Sequence, residues 1–106
     1  MQPIRQGDVI LLSVASPHGT KHLGHRLDHL TLVEGEVTGH RHRIVQGNAE
    51  LYEHGYEPEK TRYLRIISPT ATLVHEEHRA MMIPQGDWLV RIQREYEPEG
   101  WHTIAD

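Results

Sequence analysis

No cysteine occurs among the 106 residues, which excludes disulfide scaffolds, zinc ribbons, iron–sulfur clusters and a thiol nucleophile. Any metal centre must therefore use nitrogen and oxygen donors. No apolar run approaches the roughly 18 to 20 residues needed to cross a bilayer, and no charged-then-apolar leader opens the chain. A membrane partner is not expected, and the cytoplasm is the expected compartment. A basic excess is also missing: 15 acidic residues stand against 11 basic ones, a net charge of −4. That balance argues against a duplex-DNA partner, which would meet a basic footprint. Neither standard phosphate-cradling glycine loop nor a GxSxG elbow is found. Phenylalanine is absent and lysine occurs only as Lys21 and Lys60.

What the chain has in excess is histidine, ten residues in all. Protonating all ten would reverse the sign of the net charge, and unperturbed imidazoles titrate across roughly pH 5 to 8. The length leaves room for one domain, 1–106, because two would each be too small to bury a core.

Short β-rich segments between turn signals predict an all-β fold, a small barrel or sandwich. Val9 to Val14 is apolar on both faces, as a central strand requires. An irregular histidine-rich loop is expected over about 16–29, where Pro17, Gly19 and Gly24 oppose a helix. Strand signals resume at Leu30 to Val33, Glu36 to Thr38 and His40 to Val45, followed by a Gly47-Asn48 turn. Further segments are Glu50 to Tyr52, Tyr63 to Ile67, Ala71 to His75, Met81 to Ile83 and Trp88 to Tyr96. Turns are expected at Ser68-Pro69 and at Pro84 to Asp87. So small a sheet has an edge to protect, which closure or pairing of subunits would achieve, and a homo-oligomer is expected.

Two clusters carry the chemistry. If Gly39-His40-Arg41-His42 is extended, His40 and His42 share a face about 7 Å apart and can converge on one ion, with the arginines turned away. In His75-Glu76-Glu77-His78 a spacing of three lets both imidazoles meet in a turn or a single helical turn. Its carboxylates, Glu76 and Glu77, are the candidate catalytic acid/base groups. His40, His42, His75 and His78 are thus the expected ligands of a divalent transition metal: zinc first, with iron, nickel or copper also suited to such donors. An open coordination position would acidify water and make the protein a hydrolase acting on a small molecule. Two other readings stand beside it. One is metal-independent cleavage of RNA by paired histidines, with neighbouring arginines holding phosphate. The other is a non-catalytic, pH-sensitive binding module. His18, His22, His25 and His29, spaced by four, three and four, are expected to lie in the loop. His54 and His102 are expected at the surface, and Trp88 and Trp101 in packing or interfaces.

Three blocks, GEVTGHRHRI (Gly35 to Ile44), HEEH (His75 to His78) and QREYEPEG (Gln93 to Gly100), resemble those of a group of small, functionally uncharacterised bacterial proteins. That resemblance brings no activity with it, although it singles out the same histidines. Gly35, His40, His42, Pro84 and Gly86 are also similar to the glycine, HxH and PxG pattern of the cupins, metal-binding β-barrels. Glu50 lies eight residues beyond His42, however, and Leu89 stands where a third histidine belongs. The cupin likeness implies a β-barrel that holds metal by histidine, with His75 or His78 in the missing ligand's place.

Overall fold

A computed structural model describes residues 2–15, 23–34, 39–56, 60–97 and 100–103. Among the described residues there are ten strands: β1 (Ile4–Gln6), β2 (Val9–Val14), β3 (His25–Arg26), β4 (Thr31–Glu34), β5 (Arg41–Gln46), β6 (Ala49–His54), β7 (Thr61–His75), β8 (His78–Ile92), β9 (Arg94–Glu97) and β10 (Gly100–Thr103). There is no helix among the described residues, and β1 to β8 make one curled antiparallel sheet, a half-barrel. β9 and β10 pair separately, and their backbone alone is described. The Glu36 to Thr38 segment, His18 and His22 lie outside the described residues, as do the side chains of Trp101 and His102.

The organising unit is the β7–β8 hairpin, two strands of 15 residues each. The lower half of β7 pairs with β6, from Ile66 against Ala49 to Thr61 against His54. Its upper half pairs with β5 instead, Leu73 against Ile44 and Val74 against Arg43. Between them the register of the hairpin shifts, between Ile66 and Thr70. Such a shift bends both strands and lets them change partners, which curls the sheet.

The turns expected at Ser68-Pro69 and at Pro84 to Asp87 are therefore not formed, and each lies inside a continuous strand. Proline cannot donate to a ladder, but at this bend the outer neighbour is the β5–β6 turn. Asn48 O there accepts from Ile67 N at 2.8 Å and from Ser68 N at 3.2 Å. The Gly47-Asn48 turn forms as expected, with Gly47 at φ +96°. A Cβ on Gly47 would lie 2.7 Å from Thr70 O and 2.8 Å from the Cα of Ala71. Gly47→Ala should therefore destabilise the protein by about 1 to 3 kcal/mol, from positive φ and a backbone clash together. An unchanged urea midpoint would refute this.

Alternation puts Val9 and Leu11, Leu51, Leu64 and Ile66, Leu73, Ile83 and Trp88 inside the curl, with Leu32 and Ile44 closing it. Trp88 is fully buried and its indole N–H donates to Pro84 O at 3.0 Å. Arg62 spans the curl from β7. It donates to Glu53 at 3.0 Å on β6 and to the carbonyls of Thr31 and Leu32 on β4, each also at 3.0 Å.

Burial pushes the Glu53 carboxyl up, but the Arg62 hydrogen bond and the charges of Lys60, Arg62 and His25 outweigh it and hold it below its ordinary value. A lowered carboxylate pKa contributes stability that is complete above about pH 5 and is lost as pH falls below about 4. Glu53→Gln should cost about 1.5 to 3 kcal/mol near neutral pH, and the difference from the native protein should shrink at pH 3. Urea midpoints that differ equally at both pH values would contradict the assignment.

Candidate metal centre

β5 runs with His42 and Ile44 facing inward and Arg41 facing solvent. The hairpin ends in a two-residue turn, Glu76-Glu77, which sets His75 directly opposite His78. A second register shift, between Leu73 and His75, accompanies it. At this end of the half-barrel the interior face changes from leucine and isoleucine to histidine.

The four imidazoles expected from the sequence are brought together. His42 and His75 lie 4.3 Å apart between ring centroids, His75 and His78 4.8 Å, His40 and His75 5.6 Å, and His42 and His78 6.1 Å. Five polar side chains are buried among the described residues, and four of them, Gln6, Asp8, His42 and His75, belong to this cluster. Burying polar groups is costly unless they are mutually bonded or take up an ion, so their concentration at one place marks it as a site.

The donors differ in what they already hold. Oε1 of Glu76 accepts from Arg41 N at 2.9 Å, and Oε2 accepts from Nη1 of Arg43 at 3.0 Å. The Arg41 N–H, Glu76's own backbone N–H and the Arg43 guanidinium hold this exposed carboxyl down to about 2. It is an anion fixed at the rim of the cluster. His40, His75 and Glu76 each offer a donor atom, and these atoms all lie within 4.8 Å of one another.

Glu77 is exposed, with its Oε1 3.0 Å from Nδ1 of His40. Its backbone N donates to Nδ1 of His75 at 3.1 Å. An ion taking that nitrogen would displace this turn hydrogen bond, at a cost of about 1 kcal/mol. His78 is half-buried, and its buried Nε2 has no hydrogen-bond partner among the described residues. His42 is 0% exposed, with Nδ1 2.9 Å from Oε1 of Gln6 and Nε2 3.4 Å from Oδ1 of Asp8.

Gln6 and Asp8 were not legible as site residues. Asp8 follows Gly7 and reads as the opening of a strand, and neither residue lies in a histidine motif. Two further histidines stand apart from the cluster. His25 lies not in an irregular loop but in β3, paired with β6, exposed and 3.9 Å from Glu53, while His29 is exposed and accepts from Thr31 N at 3.2 Å. His29 lines a separate cleft of about 450 Å³ with Arg26 and Glu50. His54 is exposed, as expected.

Comparison with protein families returns a match over residues 5–93 to the family described as Domain of unknown function (DUF8820). The chain belongs to that family. The DUF8820 match spans Gln6, Asp8 and every histidine of the cluster. Neither curated proteins nor solved structures gave a match. No helix of the described residues is long and apolar enough to cross a membrane.

Proposed function

We propose that the protein binds one divalent transition metal ion through His40, His75 and Glu76, zinc being the ion that best suits two imidazoles and a carboxylate. The observation that carries this reading is the mutual approach of the three donor sets within 4.8 Å. Donors around a tetrahedral zinc lie about 3.4 Å apart, so side-chain rotations of the order of 1 Å would close the site. Glu77 beside Nδ1 of His40 suits that ring to offer Nε2, in the carboxylate–histidine–metal arrangement that orients ligating imidazoles. Three protein donors leave a fourth position, and a metal there lowers the pKa of bound water to about 7. Hydrolysis of a small molecule is the reaction such a site supports. RNA cleavage by histidines alone, with Arg41 and Arg43 or Arg79 holding phosphate, fits less well, because Arg43 is tied to Glu76 at 3.0 Å.

Elemental analysis of tag-free protein purified without chelator tests the reading directly. About one zinc, iron, nickel or copper per chain is expected, and His40→Ala/His75→Ala should lose it. Retention in His78→Ala would leave the fourth position to water, whereas loss there would make His78 the fourth ligand. Metal-free protein that also fails to take up added zinc would end the proposal.

A further inference from the structure

Three buried side chains beneath the proposed centre, Gln6, Asp8 and His42, have no part in the donor set above. Gln6 explains their arrangement. Its Nε2 lies 3.0 Å from Leu73 O on β7 and 2.9 Å from Arg79 O on β8. Carbonyls only accept, so both amide hydrogens are donated and the end of the amide that is nitrogen is decided by its partners. These two carbonyls flank the register shift beside the hairpin tip, where a strand ladder is interrupted and needs other donors. Oε1 of Gln6 is then the atom 2.9 Å from Nδ1 of His42. An amide oxygen cannot donate, so that nitrogen must carry the hydrogen.

We infer that Gln6 is a positioning residue. It holds His42 with Nδ1 protonated and fixes its ring against His75; because its Nε2 is turned to Asp8 and away from the donor set, His42 is the platform for a ligand and not a ligand itself. Nε2, the other ring nitrogen, faces Asp8 in wholly buried space, on the side closed by the β1–β2 turn. The same amide joins both arms of the hairpin that carries His75 and Glu76. An N-terminal strand thereby sets the aim of donors some 70 residues away in sequence. The consequence for metal affinity rests on the proposed metal site, whereas the tautomer of His42 does not.

The test is a long-range 1H–15N correlation spectrum of the imidazoles, recorded on the full chain before and after addition of zinc. His42 should show a protonated Nδ1 that persists with zinc, while the nitrogens of His40 and His75 shift. A His42 protonated at Nε2 alone, or one shifting as a ligand does, would overturn the inference. Gln6→Met keeps the volume and removes every hydrogen bond. It should weaken zinc binding about 10- to 100-fold with a dispersed, folded spectrum, and unchanged affinity would also overturn the inference. Should that variant fail to fold, His42→Asn retains a donor for Gln6. Its zinc affinity should fall without vanishing, and complete loss would make His42 a ligand. If no imidazole responds to zinc, the metal reading and the positioning role fall together, while the same spectrum still reports the tautomer.

Discussion

Saturating zinc should raise the thermal unfolding midpoint by about 10 °C or more. A ligand that binds only the native state stabilises it by about 2.7 kcal/mol at a free concentration of 100 Kd. Domains near this size shift by roughly 4 to 8 °C per kcal/mol. The native state alone assembles the donors, because His40 precedes β5 and His75 and Glu76 lie at the β7–β8 tip. An unfolded chain holds them some 35 residues apart and offers only weak local pairs. His40→Ala/His75→Ala should abolish the shift while leaving the core of leucine, isoleucine and tryptophan intact. Magnesium should produce no comparable shift, since it prefers an all-oxygen octahedron. Equal shifts with zinc and magnesium would point to surface carboxylates instead of the histidine cluster.

The second large effect is expected at Trp88. Its ring is fully buried in the core, and truncating a buried aromatic to alanine costs about 3 to 5 kcal/mol through lost transfer energy and the cavity left behind. The Pro84 carbonyl would also lose the indole N–H that it now accepts at 3.0 Å. Against a total stability of about 5 to 15 kcal/mol for a single domain, Trp88→Ala should lower the unfolding midpoint by roughly 15 °C or more, or leave the chain unfolded at 37 °C. Trp88→Phe keeps most of the volume and should cost much less. Similar losses in the two variants would mean that the indole hydrogen bond, and not the packing, dominates at this position.

Leu73 and Trp88 illustrate how far local pattern reaches. Alternation along Ala71 to His75 and along Trp88 to Ile92 reports which side chains share a face, because successive residues of a strand point oppositely. The same rule sets His40 and His42 on one side and Arg41 on the other. The turn signals at Ser68-Pro69 and at Pro84 to Asp87, which lie inside continuous strands, have a different origin. Proline and glycine there carry ordinary turn chemistry. The Gly47-Asn48 turn, with Asn48 O receiving Ile67 N and Ser68 N, carries β7 through its bend, and pairing with β7 and β2 carries β8 through Pro84 to Asp87.

The site divides in the same way. Composition excluded sulfur ligands, and spacing singled out His40, His42, His75 and His78, since HxH on a strand and HEEH in a turn are local geometries. That Glu76 is pinned by Arg41 N and Arg43 depends on the hairpin tip meeting the start of β5, a contact across 33 to 35 residues. That His42 lies against Gln6 and Asp8 depends on β1 closing over the hairpin, with Gln6 bonded to residues 67 and 73 positions away. By itself the sequence determined the all-β class, the inward faces of the strands and the identity of the clustered histidines, because these follow from a two-residue period and from donor chemistry. Only the tertiary structure decided which imidazole faces an amide and which faces a carboxylate, because those partners come from the curling of the sheet, and no short-range pattern encodes where distant strands close.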